Sequence, residues 1–216
     1  MAATSSTAKS AIWQFSREAL IDSAARTLSR HGIEGTTIRQ IANDAGIALG
    51  SLYVYFKSKD ELVSAVYERG MGTIAAEVRY AVSALPASVT PIDRLEFAVR
   101  VHIRAAVKHG DYSPLMQSAR QMSKQETIAR FLRISEEYQQ YWKDLIEQAQ
   151  HSGALRNDMT NGRFLYVLTG AMTWLAGRYE SNRGPLEPLI DDVINIFLAK
   201  PFIRRAAKSP AGTRKG

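Results

Sequence analysis

The chain has 216 residues, 45% of them hydrophobic and 23% charged, which excludes disorder throughout and leaves room for one large core or two smaller ones. It contains no cysteine, so a disulfide framework, a thiolate nucleophile and a sulfur-bound metal site drop out, and a reducing, cytoplasmic setting is expected. The formal net charge of +7 is uneven: Met1 to Asp60 carries +2, Glu61 to Ala199 carries −1, and the last seventeen residues carry +6 through Lys200, Arg204, Arg205, Lys208, Arg214 and Lys215. Met1 to Ser10 has no apolar stretch, and no run of about 18 apolar residues occurs, so neither a signal peptide nor a membrane span is expected.

In chain order, residues 1–15 read as a disordered arm. Beyond them the apolar spacing is helical, without alternating runs between hairpin turns, so the fold class is all-α. A first helix is expected from Ser16, with Phe15 and Leu20 placed to pack as a staple, Ala24, Ala25 and Leu28 on one apolar face, and Gly32 as its stop. A short helix from Thr37 to Ala45 follows, with Ile38, Ile41, Ala42 and Ala45 apolar and Gly46 as a turn. A second short helix, from about Ala48 to Tyr55, should bury Leu52 and Phe56. Helices of about eight residues are marginal alone, so both must lean on their neighbours.

Ser58 with Glu61 three residues on is a capping box, opening a long helix through Leu62, Val66 and Ile74 to about Ala84. Pro86 and Pro91 mark a break. Further helices are expected near Ile92 to Lys108, Pro114 to Met122, Lys124 to His151, Asn161 to Asn182 and Pro185 to Ala199, punctuated by Gly110, Gly153 and Gly184. This divides the chain into the arm (1–15), a trihelical head (16–60), a larger helical domain (61–202) and a basic disordered tail (203–216).

Three short helices in about 45 residues, with a glycine turn between the second and third, is the layout of a helix-turn-helix DNA-binding module. The identities sharpen it. Thr36-Thr37-Ile38-Arg39-Gln40-Ile41-Ala42, then Ala45-Gly46, then Ser51-Leu52-Tyr53-Val54-Tyr55-Phe56-Lys57-Ser58-Lys59-Asp60-Glu61-Leu62, resembles the amino-terminal domain of the TetR family of transcriptional regulators, and Arg17 to Gly32 resembles that family's first helix. The resemblance spans roughly Ser16 to Tyr67. It implies that Thr37 contacts a phosphate, that Arg39 reaches a base edge, and that Leu49, Gly50 and Ser51 lead the recognition helix into the major groove. It further implies phosphate or groove contacts for Tyr53 and Tyr55 and a backbone contact for Lys59.

Those roles are chemically coherent. Hydroxyls, helix-start amides and a lysine suit phosphate oxygens, which set register, whereas an arginine fork can grip guanine O6 and N7. Tyr53 reads equally as a core aromatic. Ala48, Leu49 and Gly50 have no hydrogen-bonding side chain, so discrimination would rest on Arg39, Ser51, thymine-methyl contacts and DNA shape.

In the larger half, the resemblance implies an effector-binding and dimerisation domain. A dyad-related four-helix bundle would use Phe164, Val167, Leu168, Ala171 and Leu175 on one helix and Leu189, Val193, Ile196 and Phe197 on the other. An effector cavity would draw on His102, Met116, Arg120, Tyr138, Trp142 and Trp174. The stretches Tyr138–Trp142, Gly153–Arg156 and Gly170–Trp174 resemble the regulators that sense acyl-CoA thioesters, with an aromatic lipid-like or drug-like effector equally open.

An enzyme finds little support. There is no G-x-S-x-G elbow, H-E-x-x-H or P-loop, and His31, His102, His109 and His151 are scattered. Gly70-Met-Gly72-Thr-Ile-Ala75 matches a dinucleotide string but follows a helix instead of a strand. The adjacent pairs Glu136-Glu137 and Asp191-Asp192 diverge by about 100° around their helices. The expectation is therefore a non-enzymatic, homodimeric, ligand-responsive regulator, most simply a repressor, with operator duplex DNA and a small effector as partners and without a catalytic residue, metal, cofactor or membrane contact.

Overall fold

The computed structural model of the chain describes residues 3–112, 125–180, 182 and 184–198, and every regular element among them is helical. In order these are α1 (Ala3–His31), α2 (Ile38–Asp44), α3 (Leu49–Tyr55), α4 (Lys59–Ser83), α5 (Pro91–Lys108), a 3₁₀ turn (Gly110–Tyr112), α6 (Gln125–His151), α7 (Asn161–Arg178) and α8 (Leu186–Phe197).

Local chemistry sets most of these bounds. The hydroxyl of Thr37 accepts from the amide of Gln40 and that of Ser58 from the amide of Glu61, both at 3.2 Å. Glu61 Oε2 in turn accepts from the Lys57 amide at 2.7 Å, one residue before the Ser58 cap, so the side chain reaches back past the usual capping-box partner. Thr90 and Thr160 cap α5 and α7 in the same way, with Pro91 opening α5 where its missing N–H costs nothing. Gly32 and Gly46 end their helices at φ of +70° and +69°, a backbone region that strains any residue with a Cβ.

Three boundaries differ from expectation. The first helix starts at Ala3, so Ser16 is an interior position and the residues read as a disordered arm are helical from there. The physical reason is the absence of a breaker: Ala3 to Phe15 holds no glycine or proline and includes Ala3, Ala8 and Ala11. Helix α7 stops at Arg178 instead of Asn182, because Tyr179 turns extended and its hydroxyl donates to the Gly184 carbonyl at 3.0 Å. Pro185 caps α8 from outside it. The helix expected over Pro114 to Met122 and the basic tail lie outside the described residues.

Among the described residues two large apolar cores result, with a small third cluster of Ile74, Ala105, Ala106 and Ala176. In the head, α1 brings Leu20, Ile21, Ala24, Ala25 and Leu28 against Ile41 and Ala42 of α2, Leu52 of α3, Phe56, and Leu62, Val63, Val66 and Tyr67 of α4. In the larger domain, Ala75, Val78 and Val82 of α4 pack with Leu95, Val99 and Ile103 of α5, Trp142, Leu145 and Ile146 of α6, Phe164, Leu168 and Met172 of α7, and Ile190 and Ile194 of α8. Helix α4 thus belongs to both, and Met71 packs against each. The head core reaches Tyr67, beyond the division expected after residue 60, because one unbroken helix supplies buried residues first to one core and then to the other.

Candidate nucleic-acid interface and effector core

On the head, α2 and α3 pack Ile41, Ala42 and Leu52 into the core and leave an exposed side that is polar at Arg39 and mostly small or apolar along α3. Leu52 and Phe56 are fully buried, and Arg17 of α1 lies over the Phe56 ring, 5.0 Å from its centroid. Thr27 of α1 donates to Asp44 Oδ2 at 2.7 Å, fixing the end of α2. Opposite, Thr37, Arg39, Gly50 and Ser51 are exposed, while Leu49, Tyr55 and Lys59 are half-buried where α3 and the start of α4 meet the core. Tyr53 is 48% exposed, which makes it a surface aromatic more than a core one.

Val54, absent from the expected set, is 64% exposed. It shares a helical face with Gly50 and Ser51, and its spacing from Gly50 was the available signal. That face is small and apolar except for Ser51, a surface suited to thymine methyl groups and to close approach of α3 in a groove. Gly50 adds to the fit, since a Cβ built there meets only open space.

Between the head and the larger domain, Tyr112 of the 3₁₀ turn donates to Asp22 Oδ1 of α1 at 2.5 Å. Arg69 of α4 bridges to Asp22 at 3.3 Å and to Glu18 at 3.5 Å. The Tyr112 ring lies on Gly70, where a Cβ would stand only 2.7 Å from the Tyr112 Cβ. Burial and the neighbouring Asp22 carboxylate push the Tyr112 hydroxyl up to about 12, so it remains a donor at neutral pH. Two turns further along α4, His109 Nε2 and Lys108 Nζ lie 2.7 and 3.0 Å from Glu77 Oε1 and hold that carboxyl below its ordinary range. These contacts border a cleft of about 280 Å³.

In the larger core, His102 of α5 meets Tyr138 and Trp142 of α6. The His102 Nδ1 and the Tyr138 hydroxyl are 2.9 Å apart, the two rings stack at 5.9 Å, and the Trp142 ring meets His102 edge-on at 5.6 Å. Burial lowers the His102 pKa to about 4 and raises that of Tyr138, so both are neutral near pH 7. The Trp142 indole nitrogen is buried and makes no hydrogen bond among the described residues, although its N–H lies near enough to the Tyr138 hydroxyl to offset part of the rise that burial causes in the Tyr138 pKa. Three of the six residues expected for an effector cavity therefore cluster. Trp174 does not join them, being 64% exposed on α7, and Met116 and Arg120 lie outside the described residues.

The expected dimer seam also divides. Phe164, Leu168, Leu175 and Val193 are buried in this chain's own core, whereas Val167, Leu189 and Ile196 are 50%, 40% and 72% exposed and Ala171 and Phe197 are half-buried. Tyr166 and Trp174, at 67% and 64%, complete the outward stripe beside exposed Gly170. Helix α7 is apolar around most of its circumference, so periodicity gave two stripes and could not tell which faced inward.

The amino-terminal profile of bacterial regulatory proteins of the tetR family matches residues 20–66, and that of the tetracyclin repressor-like carboxyl-terminal domain matches residues 88–199. The chain belongs to the TetR family. Among its relatives, the HTH-type transcriptional repressor KstR2 of Mycobacterium tuberculosis is 27% identical over 171 residues, covering 79% of this chain and 84% of that protein. Of solved structures, AibR in complex with isovaleryl coenzyme A and operator DNA is similar with a TM-score of 0.72 at 20% identity, over 85% of this chain and 98% of that one. FadR from Bacillus subtilis in complex with stearoyl-CoA gives 0.71 at 17% identity, over 84% and 97%. At these identities the solved structures establish a shared fold. In this TetR-family chain the stretch between the two matched ranges falls mostly on α4, the helix that the two cores share.

Proposed function

We propose that this TetR-family regulator is a homodimeric repressor that binds a near-palindromic operator through α2 and α3 and is released by a small hydrophobic or acyl-CoA-like effector held among α4 to α7. The observation that carries the reading is α4 itself, one continuous helix that begins at Lys59 beside the exposed face of the head and ends among the buried residues of the larger core. A change in that core that tilts α4 moves the reading head. In a dimer the two heads must match half-sites about 34 to 36 Å apart, or a multiple, so a modest tilt alters operator affinity. A coupling of about 1 to 3 kcal/mol corresponds to roughly 5- to 150-fold.

Thr37, Ser51, Tyr53, Tyr55 and Lys59 are assigned to phosphate and groove contacts, Arg39 to a base edge, and Leu49, Gly50 and Val54 to the apolar part of the groove. The names of the relatives support repression, and the thioester ligands named for AibR and FadR support an acyl-CoA-like effector. The test is a gel shift with the DNA upstream of the protein's own gene, repeated with a series of acyl-CoA thioesters. Retention of that DNA over a scrambled competitor, relieved by one chain length, supports the reading; equal retention of every sequence refutes it.

A further inference from the structure

The polar inventory of the effector core can be counted. Neutral His102 has one N–H, Tyr138 one O–H and Trp142 one N–H, and the 2.9 Å contact between His102 and Tyr138 consumes one of these three donors. If the tyrosine donates to Nδ1, the His102 Nε2–H remains. If Nδ1–H donates to the tyrosine oxygen, the Tyr138 O–H remains. In either arrangement one donor of the His102–Tyr138 pair is left over, in addition to the indole N–H of Trp142, which is 1% exposed and without a partner among the described residues.

Two spare donors in an apolar core match an oxygen with two lone pairs. Val99, Ile103, Leu145, Ile146 and Met172 supply the apolar surroundings. A hydrocarbon would leave the indole N–H unpaired, at the cost that attends any buried donor. A carboxylate would need a cation, and His102 stays neutral there. Arg79 is engaged elsewhere: its guanidinium lies over Tyr141, 5.6 Å from the ring centroid, and donates to the Glu137 carbonyl at 3.2 Å.

We propose that His102, Tyr138 and Trp142 form the polar end of the effector site and that they bind the uncharged carbonyl oxygen of a ketone, ester or thioester borne on an otherwise apolar molecule. This rests on the reading of the larger domain as the effector domain.

The test follows the indole N–H directly. In the full-length protein labelled with ¹⁵N-tryptophan, Trp13, Trp142 and Trp174 give the three indole signals, and Trp142→Phe identifies that of Trp142. If that variant does not fold, Trp13→Phe and Trp174→Phe identify it by elimination. Methyl nonyl ketone and cyclododecanone are titrated against undecane and cyclododecane, with undecanoate as the charged competitor. The Trp142 signal should move downfield with at least one ketone, which should bind at least about tenfold more tightly than its hydrocarbon and than undecanoate, a factor of the size one hydrogen bond supplies. A signal that neither ketone moves, one that the hydrocarbon moves equally, as when a buried water already satisfies the indole, or tightest binding of undecanoate overturns the proposal. The upstream-DNA gel shift separates the two ideas: specific retention with no carbonyl preference sinks only the carbonyl site, and carbonyl preference without specific retention sinks only the repressor.

Discussion

At the scale of single residues, the head separates side chains that hold it together from those it presents. Arg39 is exposed and Lys59 half-buried at the first position of α4, so their losses should differ in kind. Arg39→Ala should weaken operator binding by roughly 1 to 3 kcal/mol and spare non-specific binding, while Lys59→Ala should lower affinity on all sequences and flatten its salt dependence. Binding isotherms at several salt concentrations on operator and scrambled duplex distinguish them. His102 carries a second prediction. The unfolded chain takes up this proton near its ordinary 6.5, and the folded chain resists until about 4. The unfolded state therefore binds more protons in that window, and stability falls as pH drops through it, by on the order of 3 kcal/mol. Denaturant melts at stepped pH should show His102→Gln losing that slope.

Among the helices, the informative join is between α1, α4 and the 3₁₀ turn. Tyr112 reaches Asp22 across it, and Gly70 is the residue whose missing Cβ leaves room for the Tyr112 side chain against α4. Tyr112→Phe keeps the ring and removes the hydroxyl, so it should cost about 0.5 to 1.5 kcal/mol in a thermal melt while reducing the effect of bound effector on operator affinity. Unchanged effector response would remove Tyr112 from the coupling. Both short helices were legible in the sequence because Thr37, Gly46 and Ser58 act through the few residues beside them. The end of α7 was not, since it depends on a Tyr179 hydroxyl finding a carbonyl five residues on.

For the molecule as a whole, the exposed stripe of Tyr166, Val167 and Trp174 on α7 with Leu189 and Ile196 on α8 is the surface we assign to the dimer. Trp174→Glu should shift the protein toward monomer in sedimentation and weaken operator binding, because two half-sites would no longer be engaged by one particle. A variant that stays dimeric with full affinity would move the interface elsewhere.

The sequence by itself determined that the chain is helical, where most helices start, and that its first third is a helix-turn-helix head, because caps, glycine turns and a dense motif act over a few residues. Only the tertiary structure decided which side of α7 faces inward, sending Phe164, Leu168 and Leu175 to the core and leaving Trp174 outside. It alone brought His102 to Tyr138, 36 positions on, and to Trp142 beyond it. The reason is physical: burial and donor count are properties of how helices pack against one another, and apolar periodicity along a single helix carries no record of its neighbours.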